Sequence, residues 1–142
     1  MICPGCGGLL AEKPIPHTDV RVDACKACQG LWFDRGALTL VVRSEERHPT
    51  FRAEELRPTM HCPRCKVPLT ACYYPGSFIV VDRCLKCDGL WLDHNELSEI
   101  RKTVREADLR KRLEEAKKAP PGGLKGKVLD FVNAAYRATM DW

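Results

Sequence analysis

Two phrases, CKACQGLWFD at residues 25–34 and CLKCDGLWLD at residues 84–93, constrain this chain more than any other feature. An offset of 59 residues lays one on the other and carries the match well beyond them. Cys3, Cys6, Cys25 and Cys28 fall on Cys62, Cys65, Cys84 and Cys87, and the match includes Met1/Met60, Pro4/Pro63, Leu10/Leu69, Pro16/Pro75 and Val22-Asp23/Val81-Asp82. It continues through Gly30/Gly89, Leu31/Leu90, Trp32/Trp91, Asp34/Asp93 and Leu38/Leu97. A whole module of about 40 residues is therefore duplicated in tandem. Modules that small rarely bury enough apolar surface to offset chain entropy without disulfides or a metal. The chain has 142 residues and nine cysteines, eight of them in the repeat.

Each copy reads CPxC, 18 intervening residues, then CxxC, the spacing of a four-cysteine zinc site. A CxxC turn brings two thiolates to one ion, and a second turn completes a tetrahedron. The expected cofactor is Zn²⁺, two per chain, held by Cys3, Cys6, Cys25 and Cys28 and by Cys62, Cys65, Cys84 and Cys87. Between the turns, "PLTACYY" and "SFIVVDRC" are rich in β-branched and aromatic residues around "PG", which predicts a hairpin. "LLAEK" and "DVRVDAC" predict the same, less hydrophobically, in the first copy. Knuckle, hairpin and knuckle make a zinc ribbon. Asp34 and Asp93 are expected as helix N-caps, with Glu96 completing a capping-box-like start. The fold class expected is small, metal-stabilised α+β: two tandem zinc ribbons, each leading into a helix, plus a C-terminal helical tail. Each ribbon is expected to fold around its own ion, so that Cys84→Ser would unfold the second and spare the first.

"CPGC…VDACKACQGLWFDRGAL" and "CPRC…VDRCLKCDGLWLDHNEL" resemble the TFIIB-type zinc-ribbon domain, whose signature is CPxC followed by VDxCxxCGGxWLDxGEL. The resemblance covers about residues 1–40 and 60–100 and implies one zinc bound by four cysteines in each copy. Gln29 and Asp88 stand where the signature has the first glycine of CGG, Asn95 replaces the later glycine, and Ala37 replaces the glutamate present as Glu96 in the second copy.

The remaining segments are organised by charge. Residues 1–98 balance acid against base, so the formal excess of +4 lies in residues 99–142. Four thiolates around Zn²⁺ leave each site with a net charge of about −2, making the ribbons acidic-leaning and the tail basic. The domain reading is ribbon 1 at 1–40, a charged, partly helical connector at 41–59 with a helical piece near "RAEELR", ribbon 2 at 60–98 and a charged helix at 99–119. A Pro/Gly break follows at 120–123 and an amphipathic helix at 124–142. Leu97, Ile100, Val104, Leu109 and Leu113 form a narrow stripe on the charged helix; Leu124, Val128, Phe131, Val132, Ala135 and Met140 form a broader one near the end.

No phosphate loop, HExxH or nucleophile motif is present, and a four-cysteine zinc has no open coordination position, so no catalytic residue and no enzyme activity is expected. The expected function is a zinc-binding protein-interaction or regulatory module. Its expected contacts are a protein partner or a second copy of the chain through the C-terminal helix. Nucleic-acid binding is the alternative, and a thiol redox protein a more distant one. No apolar run is long enough to span a membrane and no signal-peptide pattern opens the chain, so a cytoplasmic location is expected. Trp32 and Trp91 are expected to cover the metal sites and Asp23 and Asp82 to bond local backbone. His61 and His94 are expected at the surface, and Cys72, aligned with Lys13, as an unliganded strand side chain.

Overall fold

The computed structural model describes residues 1–43 and 51–119. Two compact units divide the chain, Met1–Glu106 and Ala107–Trp142. The first unit contains both ribbons. Its elements run β1 (Leu10–Pro14), β2 (Arg21–Cys25), β3 (Leu31–Phe33), α1 (Ala37–Val42), β4 (Arg52–His61), β5 (Pro68–Tyr73), β6 (Val80–Arg83) and β7 (Leu90–Leu92), followed by the start of α2 (Glu96–Lys118). The expected hairpins are β1–β2 and β5–β6. Each is extended by a short third strand after the second knuckle.

Those third strands join the two copies. β3 pairs antiparallel with β7, matching Leu31 to Leu92, Trp32 to Trp91 and Phe33 to Leu90. The result is one seven-stranded sheet in the order β1-β2-β3-β7-β6-β5-β4. An antiparallel pairing of equivalent strands relates the copies by a local two-fold arrangement, as in a symmetric dimer. Alternation along a strand explains the phrase LWF/LWL. Leu31, Phe33, Leu90 and Leu92 face one core, with Ile15, Val22, Leu38, Val41, Tyr74, Val81 and Ile100. Trp32 and Trp91 face the other, with Cys3, Cys25, Cys62, Leu69 and Cys84. Both faces of the joining strands are buried, which is why neither strand carries a polar residue.

The connector departs from expectation. Its first residues belong to α1, residues 44–50 lie outside the described residues, and "RAEELR" is in β4, not in a helix. The composition is helix-forming, yet propensity is a weak preference beside the need to pair buried backbone. Thr70, Ala71 and Cys72 of β5 are buried, and β4 hydrogen-bonds the edge that would otherwise be open. The expected boundary at residue 60 thus cuts a strand.

The caps also differ. Gly36, at φ 77°, precedes α1 and supplies no side-chain cap; Asn95, at φ 74°, takes the equivalent position before α2, a conformation asparagine tolerates better than most residues. Asp34 and Asp93 turn their carboxylates to the indole N–H groups of Trp32 and Trp91, at 3.2 and 2.9 Å, and so do not cap. The returning half of the capping box is present: the Glu96 carboxylate accepts the Asp93 N–H at 2.7 Å. In the second unit, the described part of α2 leaves Leu109 and Leu113 exposed. The expected break at 120–123 and helix at 124–142 lie outside the described residues.

Candidate metal centres

Four CxxC turns share one backbone pattern. The carbonyl of the first cysteine accepts the N–H four residues on, from Gly7, Gln29, Lys66 and Asp88, at 3.0, 2.9, 2.9 and 2.9 Å. The N–H of that cysteine donates to the carbonyl five residues on, of Gly8, Gly30, Val67 and Gly89, at 2.8, 3.0, 2.9 and 2.9 Å. Closing the turn requires a left-handed residue after the second cysteine: Gly7, Gln29, Lys66 and Asp88 have φ of 74°, 62°, 61° and 59°. Gln29 and Asp88 adopt this conformation, which favours glycine, at a cost of about 1 kcal/mol. Asp88 is steadied by Arg83 at 2.6 Å and by Arg35 of the other ribbon at 3.6 Å.

The turns converge in pairs. Cys3, Cys6, Cys25 and Cys28 form one group and Cys62, Cys65, Cys84 and Cys87 the other, with all sulfurs of a group within 4.8 Å of one another. The Sγ–Sγ separations are 3.5 Å for Cys3–Cys28, 3.5 Å for Cys6–Cys25 and 3.7 Å for Cys62–Cys87. A disulfide is far shorter, at roughly 2.05 Å. A tetrahedron with Zn–S of about 2.3 Å has edges of about 3.8 Å, so the donor set fits Zn²⁺. Burial pushes the Cys3 and Cys87 thiols up to about 12 and raises Cys28 and Cys62. Cys25 is lowered to about 6, chiefly by the Cys28 backbone N–H; at Cys84 burial is the largest influence and opposes ionisation, but the Cys87 and Lys86 N–H groups together with the Cys87 and Cys62 thiols leave the thiol lowered. A metal entering either group therefore displaces thiol protons.

Cys72 lies in β5, outside both groups, fully buried, its Sγ donating to the Thr70 carbonyl at 3.4 Å. Burial raises its thiol, which disfavours the reactive thiolate. His61 and His94 are exposed and join neither group. Asp23 and Asp82 take arginine partners where local backbone was expected: Arg64 reaches Asp23 and Arg57 of β4 reaches Asp82, each at 3.2 Å.

Trp32 and Trp91 do cover a metal site, but each covers the other copy's. A Cβ built on Gly30 would lie 2.1 Å from Cζ2 of Trp91, and one on Gly89 2.1 Å from Cζ2 of Trp32. Arg64, between Cys62 and Cys65, crosses to ribbon 1 and hydrogen-bonds Asp34 as well as Asp23. Sequence reasoning did not find these crossed contacts. Their one trace was the recurrence of Gly30 and Gly89 two residues before the tryptophans.

No curated protein and no solved structure matches the chain. Among the described residues, no helix is long and apolar enough to cross a membrane. The family model described as a transcription factor zinc-finger, of the TFIIB zinc-ribbon type, matches residues 2–44 and 61–102. Each matched stretch contains one complete group of four cysteines, giving two Zn²⁺ sites per chain. The chain belongs to the TFIIB-type zinc-ribbon family and carries its domain twice.

Proposed function

We propose that this protein is a non-catalytic, cytoplasmic binding module, in which two zinc ions hold a sheet whose β1 edge receives an extended segment of a partner protein. The carrying observation is a difference between the sheet's two edges. In ribbon 2, β4 pairs along β5. Among the described residues the equivalent edge of ribbon 1 has only the bridge between Ile2 and Leu9, the counterpart of His61 and Pro68, with the Leu10 N–H bonded to the Met1 carbonyl, and no strand pairs with β1 on that side from Ala11 to Pro14. An edge with free backbone groups is the template for strand addition. Absence of catalysis is supported by the four-thiol donor sets, which leave a tetrahedral zinc no position for water or substrate. A second protein contact through the apolar residues Phe131 and Val132 is proposed from their sequence spacing.

Nucleic acid is the second reading. The family's description favours it, as does Phe78, 94 % exposed beside Arg52 at the β5–β6 turn. Against it, Trp32 and Trp91 are buried and unable to stack on bases. Basic residues of α2 are also paired with acids, Arg112 with Asp108 at 2.9 Å and Lys117 with Glu114 at 3.0 Å.

Lys13, on β1, supplies an amine for cross-linking. Cross-links from Lys13 to a partner protein that disappear in Glu12→Pro, with both zinc ions retained, are the expected result. Tight, steeply salt-dependent binding to DNA or RNA, unchanged by that substitution, would replace the first reading with the second.

A further inference from the structure

We infer that the two zinc sites fill as one cooperative unit, because the tryptophan of each ribbon positions the cysteine knuckles that hold the zinc of the other. Gly5 lies between Cys3 and Cys6, and Gly30 two residues beyond Cys28. The indole of Trp91 lies against both: an added Cβ would sit 3.3 Å from its Cζ2 at Gly5 and 2.1 Å at Gly30. One side chain of ribbon 2 thus spans both knuckles of site 1. Trp32 returns the contact at Gly89, next to the second knuckle of site 2. At the first knuckle of site 2 the counterpart of Gly5 is Arg64. Its guanidinium is held from ribbon 1 by Asp34, at 2.6 Å to Oδ2, and by Asp23 at 3.2 Å. Asp34 also accepts the Trp32 indole N–H, so the shelf and the clamp are one assembly.

Trp32 and Trp91 are wholly buried and share a single core with Cys3, Cys25, Cys62 and Cys84. Neither ribbon could bury its tryptophan alone, since the surface that covers it belongs to the other copy. Metal-binding free energy in so small a module is folding free energy. Emptying site 2 frees its knuckles, β7 loses its anchor, and Trp91 leaves Gly5 and Gly30. Site 1 then loses the wall behind its ligands. By linkage the coupling is reciprocal, so the second zinc binds more tightly than the first. This reverses the independence expected when each ribbon is read by itself.

The test uses the full zinc-loaded chain. Trp91→Ala keeps all eight ligands. Zinc transfer to a chromogenic chelator gives the rate, and hydrogen exchange with mass spectrometry over residues 1–33 and 60–92 identifies the site released. The expected result is release at least tenfold faster, with exchange rising in residues 1–33 alone or in both segments together; Trp32→Ala gives the mirror result. In Cys84→Ser/Cys87→Ser, site 1 is expected to bind zinc at least tenfold more weakly. The inference is overturned by exchange rising in residues 60–92 only, by release rates unchanged in Trp91→Ala, or by unaltered site 1 affinity in the double serine variant.

Discussion

Arg64 Nη2 lies 2.6 Å from Oδ2 of Asp34, and Arg64 Nε bonds the other carboxylate oxygen, a two-pronged bridge from a zinc knuckle of one ribbon to the strand end of the other. Asp34 raises the Arg64 pKa by hydrogen bonding to it. The pair is partly exposed, so its contribution is modest, about 1 kcal/mol. Arg64→Ala is expected to lower the thermal midpoint by a few degrees with both zinc ions in place. Arg64→Lys should recover only part of this, because a single ammonium cannot make both bonds. Calorimetry of the three proteins checks it; full rescue by lysine would show that charge alone matters.

Metal content follows from the donor sets. Protein produced without added metal should contain two zinc ions per chain by element analysis, and Cys72→Ala should leave that number unchanged. One zinc per chain, or iron as the main metal, would contradict the assignment.

Crowding at the joint predicts an unusually sensitive glycine. Gly30→Ala places a methyl group 2.1 Å from the Trp91 ring, which is backed by a closed core. Overpacking of this kind costs about 3 kcal/mol. Combining it with Trp91→Leu, which removes the obstructing ring, should cost less than the sum of the two single changes. Denaturant titrations of the four proteins give the coupling, and strict additivity would argue that the two residues do not touch.

Glu96 predicts a pH dependence. Burial, helped by the nearby Asp93 and Asp82 charges and opposed by the Asp93 N–H, raises its pKa from 4.5 to about 7. A folded-state pKa above the unfolded one means that its contribution to stability is fully present below about pH 4.5 and lost as pH rises through about 7. Glu96→Gln, which can still accept the Asp93 N–H, should therefore gain on the wild type across that window and keep a constant advantage above it. Proton-driven zinc loss affects both proteins, so the difference between their stabilities is the quantity to follow. A difference that does not vary with pH would show that Glu96 ionises normally.

The ligands and hairpins were legible because their chemistry is local. A CxxC turn joins residues three apart, the 18-residue spacing closes the site within one module, and β-branched runs flank the turns. The duplication was equally plain. What the sequence could not show was where each module buries its tryptophan. LWF and LWL have the same composition whether they cover their own knuckles or another's, and the β3–β7 register that decides it joins residues about sixty positions apart. Arg64, Asp34 and Gly5 carry no local sign of a partner for the same reason. "RAEELR" misled because its composition favours a helix, while the open edge of β5 required a strand, and backbone pairing outweighs propensity. The sequence alone determined two zinc ribbons; only tertiary structure made them one sheet, because burying two tryptophans takes surface that neither ribbon has by itself.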